Sequence, residues 1–96
     1  MVVGILQLEL FIEGATSLKD KRRVVRSLKD RLHNEHRVSV AEVDRLDEHT
    51  VAILGVALVS SSVPVAQRVL DKMLDWIRLG RDYTLRDHKL EILSGQ

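Results

Sequence analysis

The chain has no cysteine, one proline and three aromatic residues among ninety-six. Without cysteine there is no disulfide framework, no thiolate metal site and no cysteine nucleophile, a usage that fits a reducing cytoplasm. The scarcity of proline and glycine, and the lack of any low-complexity stretch, leave no candidate linker. Phe11, Trp76 and Tyr83 are too few and too scattered to form a stacking platform for bases. Long apolar runs are missing as well. The opening MVVGILQLELFI has no cationic leader and is interrupted by Gln7 and Glu9, so neither a signal peptide nor a membrane span is expected.

What is present suits a single folded domain over 1–96. Apolar residues make up 45% and charged residues 30%, with a formal net charge of +1. That balance is far from the disordered corner of composition space, and the length allows roughly two thirds of the unfolded surface to be buried around one core. The charge is unevenly spread. Residues 17–37, SLKDKRRVVRSLKDRLHNEHR, hold eight Lys/Arg against three Asp/Glu, while the rest of the chain holds seven against eleven. Such a cluster concerns partners more than fold, and the partners of a cationic helix are phosphates or acidic protein surfaces.

Hydrophobic periodicity divides the chain into six elements. Over 2–12, Leu6, Leu8, Leu10 and Ile12 alternate with Ile5, Gln7, Glu9 and Phe11, as in a strand with one face in a core. Gly14 and Ala15 turn the chain, and Thr16 or Ser17 caps a helix with Asp20 three residues beyond Ser17. Leu18, Val25, Leu28 and Leu32 form the buried stripe of that helix, which ends near His36. Strands over 38–43 and 50–60 form a hairpin around the polar turn 44–49. Both alternating sets of the third strand, Val51/Ile53/Ala57/Val59 and Ala52/Leu54/Val56/Leu58, are apolar, so it is expected at the centre of a sheet, covered on both faces. Ser60 to Ser62 and Pro64 open a second helix whose stripe is Ala66, Val69, Leu70, Met73 and Ile77, and Gly80 closes it. Residues 83–93 alternate as the last strand.

Strand, helix, strand, strand, helix, strand is the split β-α-β order: a four-stranded antiparallel sheet with both helices on one face and the first and third strands in the middle. The fold class is therefore α+β, ferredoxin-like βαββαβ. On the helix-free face Ile5, Phe11 and one apolar set of the third strand would meet water, and a homodimer through this open face is the expected cover.

The motifs SLKDKRRVVRSLKDRL, VSVAEVD, LGVALVSSS and VLDKMLDWI, in that order, resemble the YlxP-like family of small bacterial proteins, a domain-of-unknown-function family. The resemblance spans nearly the whole chain and implies the same ferredoxin-like fold. It also implies a setting in translation, because genes of the family commonly lie beside those for translation initiation and ribosome-binding factors. His49 stands in the hairpin where the family pattern has an aromatic residue.

In helical projection Lys19, Arg22, Arg23, Arg26, Lys29 and His33 fall within roughly 120°, opposite the apolar stripe. Lys19, Lys21, Arg22 and Arg23 also crowd the first two turns, where cations oppose the helix dipole by about 0.3–1 kcal/mol each, and a bound anion at this helix end would relieve the conflict. The residues expected to contact RNA phosphates are Lys19, Lys21, Arg22, Arg23, Arg26 and Lys29, and the bland reading is a solvated helix face. The expected function is that of a noncatalytic accessory protein of translation or ribosome assembly in the cytoplasm, binding RNA or a ribosomal particle. The alternatives are an oligomerising module for an acidic partner protein and a small-molecule regulatory domain.

Enzyme readings find little purchase. His33, Glu35 and His36 lack a third fixed donor for a metal, and Asp44, Asp47, Glu48 and His49 read as a polar turn. Asp82, Asp87 and His88 are no more persuasive. Ser60 to Ser62 have no nominated base, and no Walker or dinucleotide glycine pattern is present. The phosphate cradle of acylphosphatases, which share the topology, has no counterpart in FIEGATSLKDKRR. No catalytic residue, metal, cofactor or membrane partner is expected.

Overall fold

A computed structural model describes residues 1–95. The chain runs β1 (Val2–Phe11), α1 (Leu18–His36), β2 (Ser39–Asp44), β3 (Val51–Ser60), α2 (Val63–Arg78) and β4 (Thr84–Ser94). The strands form one antiparallel sheet in the order β2-β3-β1-β4, so β1 and β3 are central as the crossover rule requires. This is the ferredoxin-like α+β arrangement. α1 lies over the β2–β3 half of the sheet and α2 over β1, β3 and β4.

Period two in β1 places Leu6, Leu8 and Leu10 wholly inside, against Ala52, Leu54, Val56 and Leu58 of β3 and the buried stripe of α2, Ala66, Leu70, Met73, Leu74 and Ile77. Gly4 allows α2 its close approach, since a Cβ there would sit 2.9 Å from a Leu70 methyl. Ser62 caps α2 by accepting from the Val65 N–H, with Pro64 in the first turn. Gly80 does not end this helix by adopting a left-handed conformation, as its place in the sequence suggests; it leaves room for the ring of Tyr83, which a Cβ would enter. The Tyr83 hydroxyl donates to the Ile77 carbonyl at 2.7 Å and so satisfies the last turn of α2.

The helix-free face is ordered in rows across the strands. Leu93–Val3–Val59 forms one end, followed by Glu91–Ile5–Ala57–Ser39, Lys89–Gln7–Gly55–Ala41, Asp87–Glu9–Ile53–Asp44 and Thr84–Phe11–Val51. Coverage of β3 on both faces holds at one end only. Val51 and Ile53 are buried beside two charged straps: Arg86 lies 4.0 Å over the Phe11 ring, and Arg45 reaches to within 3.8 Å of Glu9. At the other end Val59 is 70% and Leu93 46% exposed. Phe11 is thus removed from the exposed patch that the sequence suggests, and Val3, Val59 and Leu93 define it instead.

Candidate nucleic-acid interface

α1 begins at Ser17, whose hydroxyl accepts from the Asp20 N–H at 3.2 Å. The Asp20 carboxylate reaches back one residue further than a standard capping box, accepting from the Thr16 N–H at 3.0 Å and the Thr16 hydroxyl at 2.8 Å. These bonds, the backbone one foremost, hold the Asp20 carboxyl below its ordinary range, with a further contribution from Arg23. Its other oxygen accepts from Arg23 at 2.7 Å. The chain's own Asp20 carboxylate therefore already stands at this helix end. A phosphate expected at the helix end meets Asp20, and the cations available to an anion lie along the side of the helix.

Which cations those are differs from the sequence expectation at one position. Lys21 is 1% exposed, the single buried charged residue in the described core, and cannot touch a phosphate. Its ammonium donates to the carbonyls of Arg45 at 3.0 Å, Leu46 at 3.4 Å and Val51 at 3.1 Å, and lies 2.7 Å from the Glu42 carboxylate. The three carbonyls provide one acceptor for each ammonium proton, and the Glu42 carboxylate stands beside it as the counter-charge. Lys21 is a brace between α1, β2 and the hairpin turn. The inward stripe of the helix is Lys21, Val25, Leu28 and Leu32, with Leu18 displaced to its half-buried margin. The spacing i, i+4, i+7, i+11 carried that information, masked by the assumption that a lysine belongs outside.

The remaining candidates divide by exposure. Lys19, Arg22, Arg23 and Arg26 are exposed and Lys29 is half-buried. Around the helix Lys29, Arg22, His33, Arg26 and Lys19 succeed one another within about 80° with no acid between them. Among the described residues none of Lys19, Arg22, Arg26 and Lys29 has a carboxylate partner; Arg23 is tied to Asp20 and stands beyond Asp30 at the margin of the arc. The arc lies on the side of α1 away from α2, because on the opposite side Arg31 stacks 4.7 Å over the Trp76 ring of that helix. Trp76 also meets His36 edge-on at 5.5 Å. It is half-buried packing between the helices, with the Arg31 guanidinium over its ring.

His33 belongs to the arc by position and makes one fixed contact. Its Nδ1 is 3.0 Å from the Val38 carbonyl, so that nitrogen carries the hydrogen. His36 is turned toward Trp76, and the two histidines do not converge on a common point. The turn acids are absorbed locally: Asp44 accepts from the Arg45 N–H at 2.7 Å and Glu48 from Arg45 Nε at 3.2 Å. Asp87 accepts from the N–H of His88 at 2.8 Å. A groove of about 750 Å³ runs beside α1 between the β1–α1 and α2–β4 connections, with Arg23, Arg81, Asp20, Asp82 and Glu13 on its walls. Its charges are of both signs, so it adds no electropositive channel to the arc.

Residues 3–90 match the family model described as "Protein of unknown function (DUF503)". The chain is 33% identical over 76 residues to the "Uncharacterized protein YlxP" of Bacillus subtilis (strain 168), an alignment that covers 79% of this chain and 83% of that protein. Within the described residues no helix is long and apolar enough to cross a membrane. The chain belongs to this YlxP-like family of small bacterial proteins, DUF503.

Proposed function

We propose that the protein is a noncatalytic RNA-binding accessory factor of translation or ribosome assembly, acting in the cytoplasm through the phosphates of its target. The observation that carries this reading is the acid-free arc of Lys19, Arg22, Arg26 and Lys29, none of them neutralised by a carboxylate among the described residues. Unpaired cations spaced along one helix side attract a polyanion and repel each other in its absence. Base readout has no support in the site: the aromatic on the central strands, Phe11, is covered by Arg86, and Trp76 and Tyr83 are engaged in packing. Binding by phosphates and shape implies little sequence preference and a steep salt dependence.

The same reading includes a homodimer through the open sheet face. Leu93, Val3 and Val59 lie in one continuous row with Ile5 and Ala57 behind it, and Glu91 and Lys89 follow on β4 with opposite charge. A two-fold axis across this face buries the apolar rows on each other and leaves both α1 helices outward.

Cosedimentation with separated ribosomal subunits and with free ribosomal RNA over a salt series tests the RNA reading. Saturable binding that is lost in Arg22→Glu/Arg26→Glu, with melting unchanged, supports it. Absence of binding at low salt refutes it, and a partner retained after nuclease treatment shifts the function to an acidic protein.

A further inference from the structure

The two edges of the sheet are guarded unequally. β4 carries Arg86, Asp87, His88, Lys89 and Glu91 along its length and is bulged beside Glu9, devices that discourage a further strand. β2 has almost none of this over 39–42. Ser39 and Ala41 are small and exposed, Val40 is half-buried, and the carboxylate of Glu42 is drawn inward to Lys21. Its protection is the bulge at Val43, past the regular segment. The backbone groups on the outer side of Ser39 to Glu42 are therefore open to pairing.

What overhangs this edge selects the partner. α1 lies over β2, and the side of α1 away from α2 presents Arg22, Arg26, Lys29 and His33. At the beginning of β2 a recess of about 370 Å³ is lined by His33, Asn34, Arg37, Val38 and Ser39. Arg37 closes α1 in a left-handed conformation, φ 56°, with its N–H on the His33 carbonyl at 3.1 Å, a place that glycine normally takes. Its guanidinium has no carboxylate partner among the described residues. A strand laid antiparallel on β2 runs with its C-terminus toward Ser39, which delivers its terminal carboxylate to this recess.

We propose that the free edge of β2 binds the extended, acidic C-terminal segment of a partner protein in antiparallel register, with its α-carboxylate received beside Arg37 and His33. Backbone pairing supplies affinity, the cations of α1 select acidic side chains, and the recess reads the chain end. A second copy of this chain is the poorer occupant, since pairing β2 with β2 sets the two cationic overhangs against each other. This site goes beyond the RNA reading and does not rest on it. Lys19→Glu, at the far end of α1, lowers RNA binding and leaves peptide binding unchanged.

The test is an amide NMR titration of the full chain with the hexapeptide Val-Glu-Val-Glu-Val-Glu, its C-terminal amide, and Val-Lys-Val-Lys-Val-Lys. The free acid is expected to shift the amides of 39–42 and to protect those that point away from β3, the amide form to bind about tenfold more weakly, and the lysine peptide not to bind. In Arg22→Glu/Lys29→Glu the preference between glutamate and lysine peptides reverses. Equal affinity for acid and amide overturns the seat at Arg37 and His33. Shifts along α1 without protection of β2, or protection of β2 that depends on protein concentration alone, overturn the strand-addition site.

Discussion

The ammonium of Lys21 lies 2.7 Å from the carboxylate of Glu42 inside the fold, with side-chain exposures of 1% and 15%. Together with three carbonyls from the turn and the start of β3, this pair joins the first helix to the hairpin. A buried ion pair adds little over an apolar pair of the same shape, but removing one partner leaves the other charge uncompensated. Lys21→Met should therefore destabilise by about 3 kcal/mol, and Lys21→Met/Glu42→Leu by clearly less than the two single changes together. Denaturant melts of the four proteins form the cycle, and strict additivity would show that the two groups do not interact.

The same burial ranks the cations for RNA binding. Lys19, Arg22 and Arg26 should each remove about one phosphate contact when changed to Ala, lowering the slope of log affinity against log salt by roughly 0.7–0.9 apiece. Lys29→Ala should have a smaller effect. Lys21→Met should leave the slope unchanged once the folded fraction is matched. A slope change in Lys21→Met at full folding would contradict its inward placement.

Asp20 gives the protein an acid-side dependence of known sign. Because its folded carboxyl titrates below the ordinary value, its contribution is fully present above the unfolded carboxylate range and is lost as pH falls through the lower folded value. Asp20→Asn should melt lower than the parent at neutral pH, and the difference should narrow on acidification. Thermal melts between neutral and acid pH would show it; a constant gap would assign the loss to something other than the charge.

Tyr83 acts in the alkaline range. Burial raises its phenol above the ordinary value, and the neutral hydroxyl donates to Ile77. Stability is unaffected below the usual tyrosine range and falls as pH rises through and beyond it, since the unfolded chain ionises first. Tyr83→Phe should cost about 1 kcal/mol at neutral pH and abolish that part of the alkaline loss. Gly80→Ala should be worse, because the added methyl enters the space of the ring.

Val59→Glu in the exposed apolar row tests the dimer. The variant should be monomeric by sedimentation equilibrium with its melting transition retained, because Val59 is 70% exposed in a single chain. A parent protein that is already monomeric at high concentration would remove the open face from the functional account.

Local pattern sufficed for most of the architecture. The period of two in β1 and β3, the apolar stripe of α2, the serine caps at Ser17 and Ser62 and the order of elements all depend on neighbours along the chain, and each lies within a residue or two of where periodicity puts it. The basic arc of α1 was legible for the same reason, since a helix converts spacing directly into direction. The placement of Lys21, the covering of Phe11 by Arg86 and the service of the α2 terminus by Tyr83 depend on groups far apart in sequence. No periodicity distinguishes a lysine that faces water from one whose ammonium finds Glu42 and three carbonyls twenty-odd residues away. Hydrophobic spacing by itself determined the elements and their faces; which polar groups were drawn inside was decided only when the hairpin folded back beside the helix and supplied the acceptors that make such burial affordable in free energy.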